Sequence, residues 1–265
     1  MRQARLIFAL LVAAGGAASG QTPTGMANAF RPTDAQILFM LQNLPVENAK
    51  TLGPIINALL SDTTSHMKMA PTRTATHEDT VRANDVVKSM RASLKQYADV
   101  AVAEKAGYVR FLPWLEAQDV YHFNHNGNAR TAATETDPTK PTSLLYRKNE
   151  KGAMVLVGAM YTAPATATLD ELDARLPRGV AYWHQHVNFC ALRPTNADRA
   201  AMRADSTLIA RALSIQNNEE CVAQGGIFIP QLFGWMAHVN AFEGDAMDTI
   251  WGGEGKDHMH MHHHP

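Results

Sequence analysis

Twelve histidines and thirteen methionines stand in a chain of 265 residues, and their spacing is where chemistry can be sought. The densest candidate is Trp183-His184-Gln185-His186-Val187-Asn188-Phe189-Cys190. On a β-strand successive side chains point to opposite faces. His184 and His186 would then share one face, with Trp183, Gln185 and Val187 on the other. Two imidazoles aimed at one point form half of a metal shell, and three with an open position suit zinc, copper or non-haem iron. His238, between Ala237 and Val239, and His122, between Tyr121 and Phe123, sit in further strand-like runs. Neutral imidazoles that hold a metal want such aromatic, water-poor surroundings. His184, His186, His238 and His122 are therefore the expected internal metal site. The competing reading makes them histidines bonded to their neighbours, since a chain this rich in His often contains a His-X-His pair by chance.

The last residues form a second candidate. His258, Met259, His260, Met261, His262, His263 and His264 precede Pro265. Thioethers select Cu(I) and imidazole accepts either copper state, so copper is the favoured ion, with zinc and iron as alternatives. A purification tag is the competing explanation, although interspersed Met is unlike the usual uninterrupted run. His66-Met67-Lys68-Met69 could also bind a soft ion, or be an exposed loop with incidental Met.

Cys190 and Cys221 are the two cysteines. Met1-Arg2-Gln3-Ala4-Arg5, the apolar residues 6–14 and the small residues Ala17-Ala18-Ser19-Gly20 have the three parts of a secretory signal peptide over 1–20. Export to the periplasm or beyond would oxidise the two cysteines, so a Cys190–Cys221 disulfide is expected, against a thiolate ligand or free thiols. The apolar part is too short to span a bilayer and no second long run follows, so no membrane span is expected after cleavage. The net charge of −1 gives no basic footprint for nucleic acid. Nothing in the pattern specifies an oligomeric state.

These residues need elements to position them. Residues 21–32 read as a flexible start. Thr33-Asp34-Ala35-Gln36 has the form of a capping box before a helix that ends at Pro45, and a second helix is expected over 46–60, kinked or restarted at Gly53-Pro54. Residues 61–75 read as a loop. Thr76 and Asp79 open a long helix whose apolar stripe is Ala83, Val86, Val87, Met90, Leu94, Tyr97 and Ala98, and Asp99 caps a continuation that ends at Gly107. After Pro113 the pattern becomes β-like: a strand at 120–127, a loop at 128–141, a hairpin with arms 143–146 and 154–161, then the strand 180–189. A helix from Asn196, short strands at 227–230 and 233–240, and an irregular stretch to 255 complete the chain. Glu243 and Asp245 could supply a carboxylate but read as solvated acids, and Tyr161, Trp183 and Trp235 as core.

The segments His122-Phe123-Asn124, Leu144-Leu145-Tyr146, Leu156-Val157-Gly158, residues 183–190 and residues 233–239 together resemble those of an uncharacterised family of secreted bacterial proteins. The resemblance spans roughly Tyr97 to Gly252 and implies one domain there, with no substrate or mechanism. His-X-His also opens the cupin metal motif, but Cys190 stands where that motif has Glu, so the match is partial.

The expected fold is α+β: a helical part, 33–112, packed on a β-rich part, 113–255, with a mainly antiparallel sheet or small β-barrel, followed by the tail 256–265. The expected function is extracytoplasmic binding of a transition metal, copper favoured. Two alternatives stand beside it: a mononuclear oxygenase or hydrolase using the same histidines, and a secreted ligand-binding or structural module without metal.

Overall fold

The computed structural model describes residues 46–62, 64–116, 118–191 and 206–252. The signal-peptide segment, the first expected helix, the Asn196 helix start and the His/Met tail with His258, Met259, His260, Met261, His262, His263 and His264 lie outside them.

Eight helices and seven strands alternate along the described chain: α1 (Val46–Ser61), β1 (Met67–Met69), α2 (His77–Leu94), α3 (Val100–Lys105), β2 (Val109–Arg110), β3 (Tyr121–Asn124), α4 (Asn126–Thr131), β4 (Ser143–Lys148), β5 (Met154–Ala163), α5 (Leu169–Arg175), β6 (His184–Ala191), α6 (Ser206–Ser214), α7 (Asn218–Ala223), β7 (Ile227–Val239) and α8 (Met247–Ile250). The strands form one antiparallel sheet in the order β1-β6-β7-β5-β4-β3-β2. This is the α+β architecture expected, realised as an open sheet.

Local chemistry explains the main elements. Thr76 accepts from the Asp79 amide, and the Asp79 carboxylate bonds back to the Thr76 amide, so the first turn of α2 satisfies its own donors. Arg73 ties that carboxylate to Asp173. Ala83, Val87, Met90 and Leu94 form the buried stripe of α2. A 3-10 turn, Lys95–Ala98, joins it to α3, which Asp99 caps, and Gly107 follows at φ 96°. β4 and β5 form the expected hairpin, with Gly152 in the turn at φ 77°.

Three expectations change. Residues 61–75 are not all loop: Met67–Met69 is an edge strand on β6, with His66 and Met67 buried. Three residues without flanking turn signals carry too little pattern to be read as a strand. The loop after β3 begins with a helical turn, α4, because the His125 ring accepts from the Asn128 amide and caps it. The two short strands near the end are one 13-residue strand, β7, with Phe233 at φ 65° inside it. That left-handed residue marks a bulge, which re-aims a strand without ending it.

The sheet has two unlike faces. Tyr121, Phe123, Ala159, Tyr161, Trp235, Ala237 and Val239 alternate onto one face and join α2 in the main core with Trp183. The intervening residues, His122, Asn124, Met160, Thr162, Met236 and His238, line a cavity on the other. Cys190 and Cys221 form a disulfide with Cα atoms 5.6 Å apart, tying the end of β6 to α7 just before β7.

Candidate metal centre

All four internal histidines lie on strands: His122 on β3, His184 and His186 on β6, His238 on β7. In the sheet order β3 is three steps from β7. With about 4.8 Å per step, a flat sheet would hold these strands well beyond ring contact. Yet the Nε2 atoms of His122 and His238 are 3.3 Å apart. The sheet must curl to achieve this, and Gly158 lies on β5, one of the two strands between them. A Cβ there would sit 2.2 Å from the Val239 carbonyl oxygen, so only glycine permits this backbone approach. A strand glycine at a tight bend is the expected device.

The other rings extend the contact in a chain. The His184 ring centroid is 5.2 Å from that of His238 and 5.5 Å from that of His186, and the His122–His238 separation is 5.2 Å. Metal–nitrogen bonds of about 2.0–2.1 Å place two nitrogens of a tetrahedral shell about 3.3 Å apart, which is the spacing of His122 and His238. Among the described residues no group of three or more His, Cys, Asp or Glu side chains is placed to hold a metal ion. His186 Nδ1 is buried without a hydrogen-bond partner among the described residues, so it has a lone pair or proton to commit.

Burial sets the charge state. Loss of water lowers the pKa of His122 to about 4, with the neighbouring His184 adding to the effect. Burial lowers His184 to about 4 and His186 to about 3, and carries His238 well below the ordinary histidine range. Near neutral pH the cluster is four uncharged imidazoles, the protonation state in which histidine binds a metal. His122 is half-buried, whereas His184, His186 and His238 are buried.

Sequence spacing pointed to the four histidines but missed two methionines. Met236 lies directly opposite His184 across β6 and β7, and Met160 directly opposite His238 across β5 and β7. Directly opposed residues share a face, with Cβ atoms about 4.5–5.5 Å apart. Both thioethers line the cavity with His122, His186 and His238. Strand register, which no local motif encodes, creates these pairs.

Cys190 is not a ligand, because its sulfur is committed to Cys221. Glu243 pairs with Arg147 and Asp245 with Arg91, and Tyr161, Trp183 and Trp235 are core. His66 is buried beside β6, with its ring nitrogens 3.3 Å from the Val187 carbonyl and 3.0 Å from the Leu213 carbonyl, a structural role. No protein-family model, curated protein or solved structure matches this chain, so the functional argument rests on the site. Among the described residues no helix is long and apolar enough to cross a membrane.

Proposed function

We propose that this chain is an exported, extracytoplasmic protein that holds one transition-metal ion on His122, His184, His186 and His238, with copper favoured. The observation that carries the reading is the 3.3 Å approach of two imidazole nitrogens 116 residues apart, in a desolvated cluster whose members are neutral. A plain hydrogen bond between His122 and His238 accounts for one contact. It leaves unexplained why His184 adjoins His238 and His186 adjoins His184. Met160 and Met236 supply the soft donors that tilt the choice from zinc or iron toward copper. The His258 to His264 tail, with Met259 and Met261, would serve as an accessory capture segment of the same preference. The disulfide suits the oxidising compartment implied by the signal-peptide pattern.

A cavity of about 810 Å³ against the cluster favours a second reading on the same ligands, a mononuclear oxygenase or hydrolase with one position open to substrate or water.

The test is elemental analysis of the purified chain lacking residues 256–265. The expected result is one copper per chain, lost in a His184→Ala, His186→Ala double variant that still folds. Absence of any stoichiometric metal after copper, zinc and iron have each been offered overturns the reading.

A further inference from the structure

The cavity beside the histidines carries several hydrogen-bond donors among its polar groups. Its body is apolar, walled by Phe111, Val120, Met160, Phe233 and Met236. Asn124 lies two residues beyond His122 on the same strand face and also lines it. The buried Ser143 hydroxyl donates to Asn124 Oδ1 at 2.6 Å. That bond uses the acceptor end of the amide and leaves its NH2 group to donate. Next to it, the Thr142 and Thr162 hydroxyls are 2.8 Å apart. One donates to the other, so one hydroxyl proton of the pair remains for a ligand. At the mouth stands Arg130, in the last turn of α4, exposed and in no ion pair among the described residues.

We infer that this cavity binds a small organic carboxylate with an apolar body. The volume falls within the range of small-molecule sites. Its polar groups include an amide NH2, a hydroxyl and a guanidinium, and donors of this kind recognise an anionic oxygen pair. One cation with neutral donors matches a monocarboxylate. A phosphate dianion would call for more positive charge, and the exposed Asp119, which also borders the mouth, opposes a second negative charge. The apolar walls exclude short, wholly polar acids. Recognition by Arg130 and Asn124 requires no metal. The link to the proposed metal centre is that His122, His186 and His238 line the same cavity.

The experiment uses the purified chain stripped of metal by a chelator, with titration calorimetry against hexanoate, benzoate and 3-phenylpropionate. Benzyl alcohol, 1-hexanol and acetate are the controls. At least one of the three acids is expected to bind more tightly than the alcohol of matching body and than acetate. Arg130→Gln and the near-isosteric Asn124→Asp are each expected to weaken it about tenfold or more, the usual worth of a hydrogen bond to a charged group. Circular dichroism confirms that the variants fold. Asn124→Asp should also shift preference toward benzylamine and hexylamine. Alcohols binding as tightly as acids, both variants binding like wild type, or no acid binding at millimolar concentration would each overturn the inference. Metal content is measured on untreated protein. Its absence counts against the metal reading alone, and lack of acid binding by the stripped chain counts against the cavity ligand alone.

Discussion

Met236 faces His184 across adjacent strands, and its thioether shares a cavity wall with His238 two residues further along β7. If these sulfurs are ligands, they act on one oxidation state. Met160→Leu and Met236→Leu keep volume and apolarity. Each is expected to lower Cu(I) affinity about tenfold or more, with zinc affinity little changed. Competition against a Cu(I) chelator and a zinc indicator reads both. Equal losses for the two ions would remove sulfur from the site.

His122 reaches the other histidines through the curl of the sheet. A His122→Ala variant should lose metal affinity by at least about a hundredfold, beyond the usual cost of disturbing a residue behind the ligands, and should leave thermal stability of the metal-free chain nearly unchanged. Isothermal titration and a melting curve check the two halves.

Gly158 tests the same curl from the backbone side. A Gly158→Ala side chain meets the Val239 carbonyl, and overpacking of this kind costs about 1–3 kcal/mol. The melting temperature should fall by several degrees, and metal affinity should fall with it because β3 can no longer close on β7. Unchanged stability would show that β5 and β7 do not approach as described.

The Asp79 carboxyl is held well below the usual carboxylate range, first by its bonds from Arg73 and then by the Thr76 amide. The unfolded chain therefore takes up this proton before the folded one does. The contribution to stability is complete above the unfolded value of about 3.9 and is lost as pH falls below it. Asp79→Asn should lower the melting temperature at pH 7 and flatten its decline below about pH 4. Acid titration followed by circular dichroism gives the comparison.

Removing the disulfide with a Cys190→Ser, Cys221→Ser pair should cost about 2–5 kcal/mol, roughly 5–15 °C of melting temperature for a domain of this size. Calorimetry of the two proteins measures it.

What could be read in the residues depended on the range of the interaction. The capping box of Thr76 and Asp79, the stripe from Ala83 to Leu94 and the hairpin turn at Gly152 are local, and each is present. The shared face of His184 and His186 follows from strand parity alone. The approach of His122 to His238 depends on curvature across three strand steps, and the pairing of Met160 and Met236 with histidines depends on register. Both are set by tertiary packing, so no window of sequence contains them. β7 read as two strands, 227–230 and 233–240, because Pro230 looks like an end, whereas the chain passes through it with Phe233 in a left-handed conformation.

The bulge at Phe233 carries a rule about insertions. Between the pairs His184–Met236 and His186–Leu232, β7 spends four residues where β6 spends two. The surplus is even, so the alternation that sends Trp235 and Ala237 to the core and Met236 and His238 to the cavity continues in phase. A single residue inserted between Phe233 and Trp235 would turn the imidazole into the core and the indole into the cavity. Two residues would leave both in place, so length variation in this strand should be tolerated in pairs.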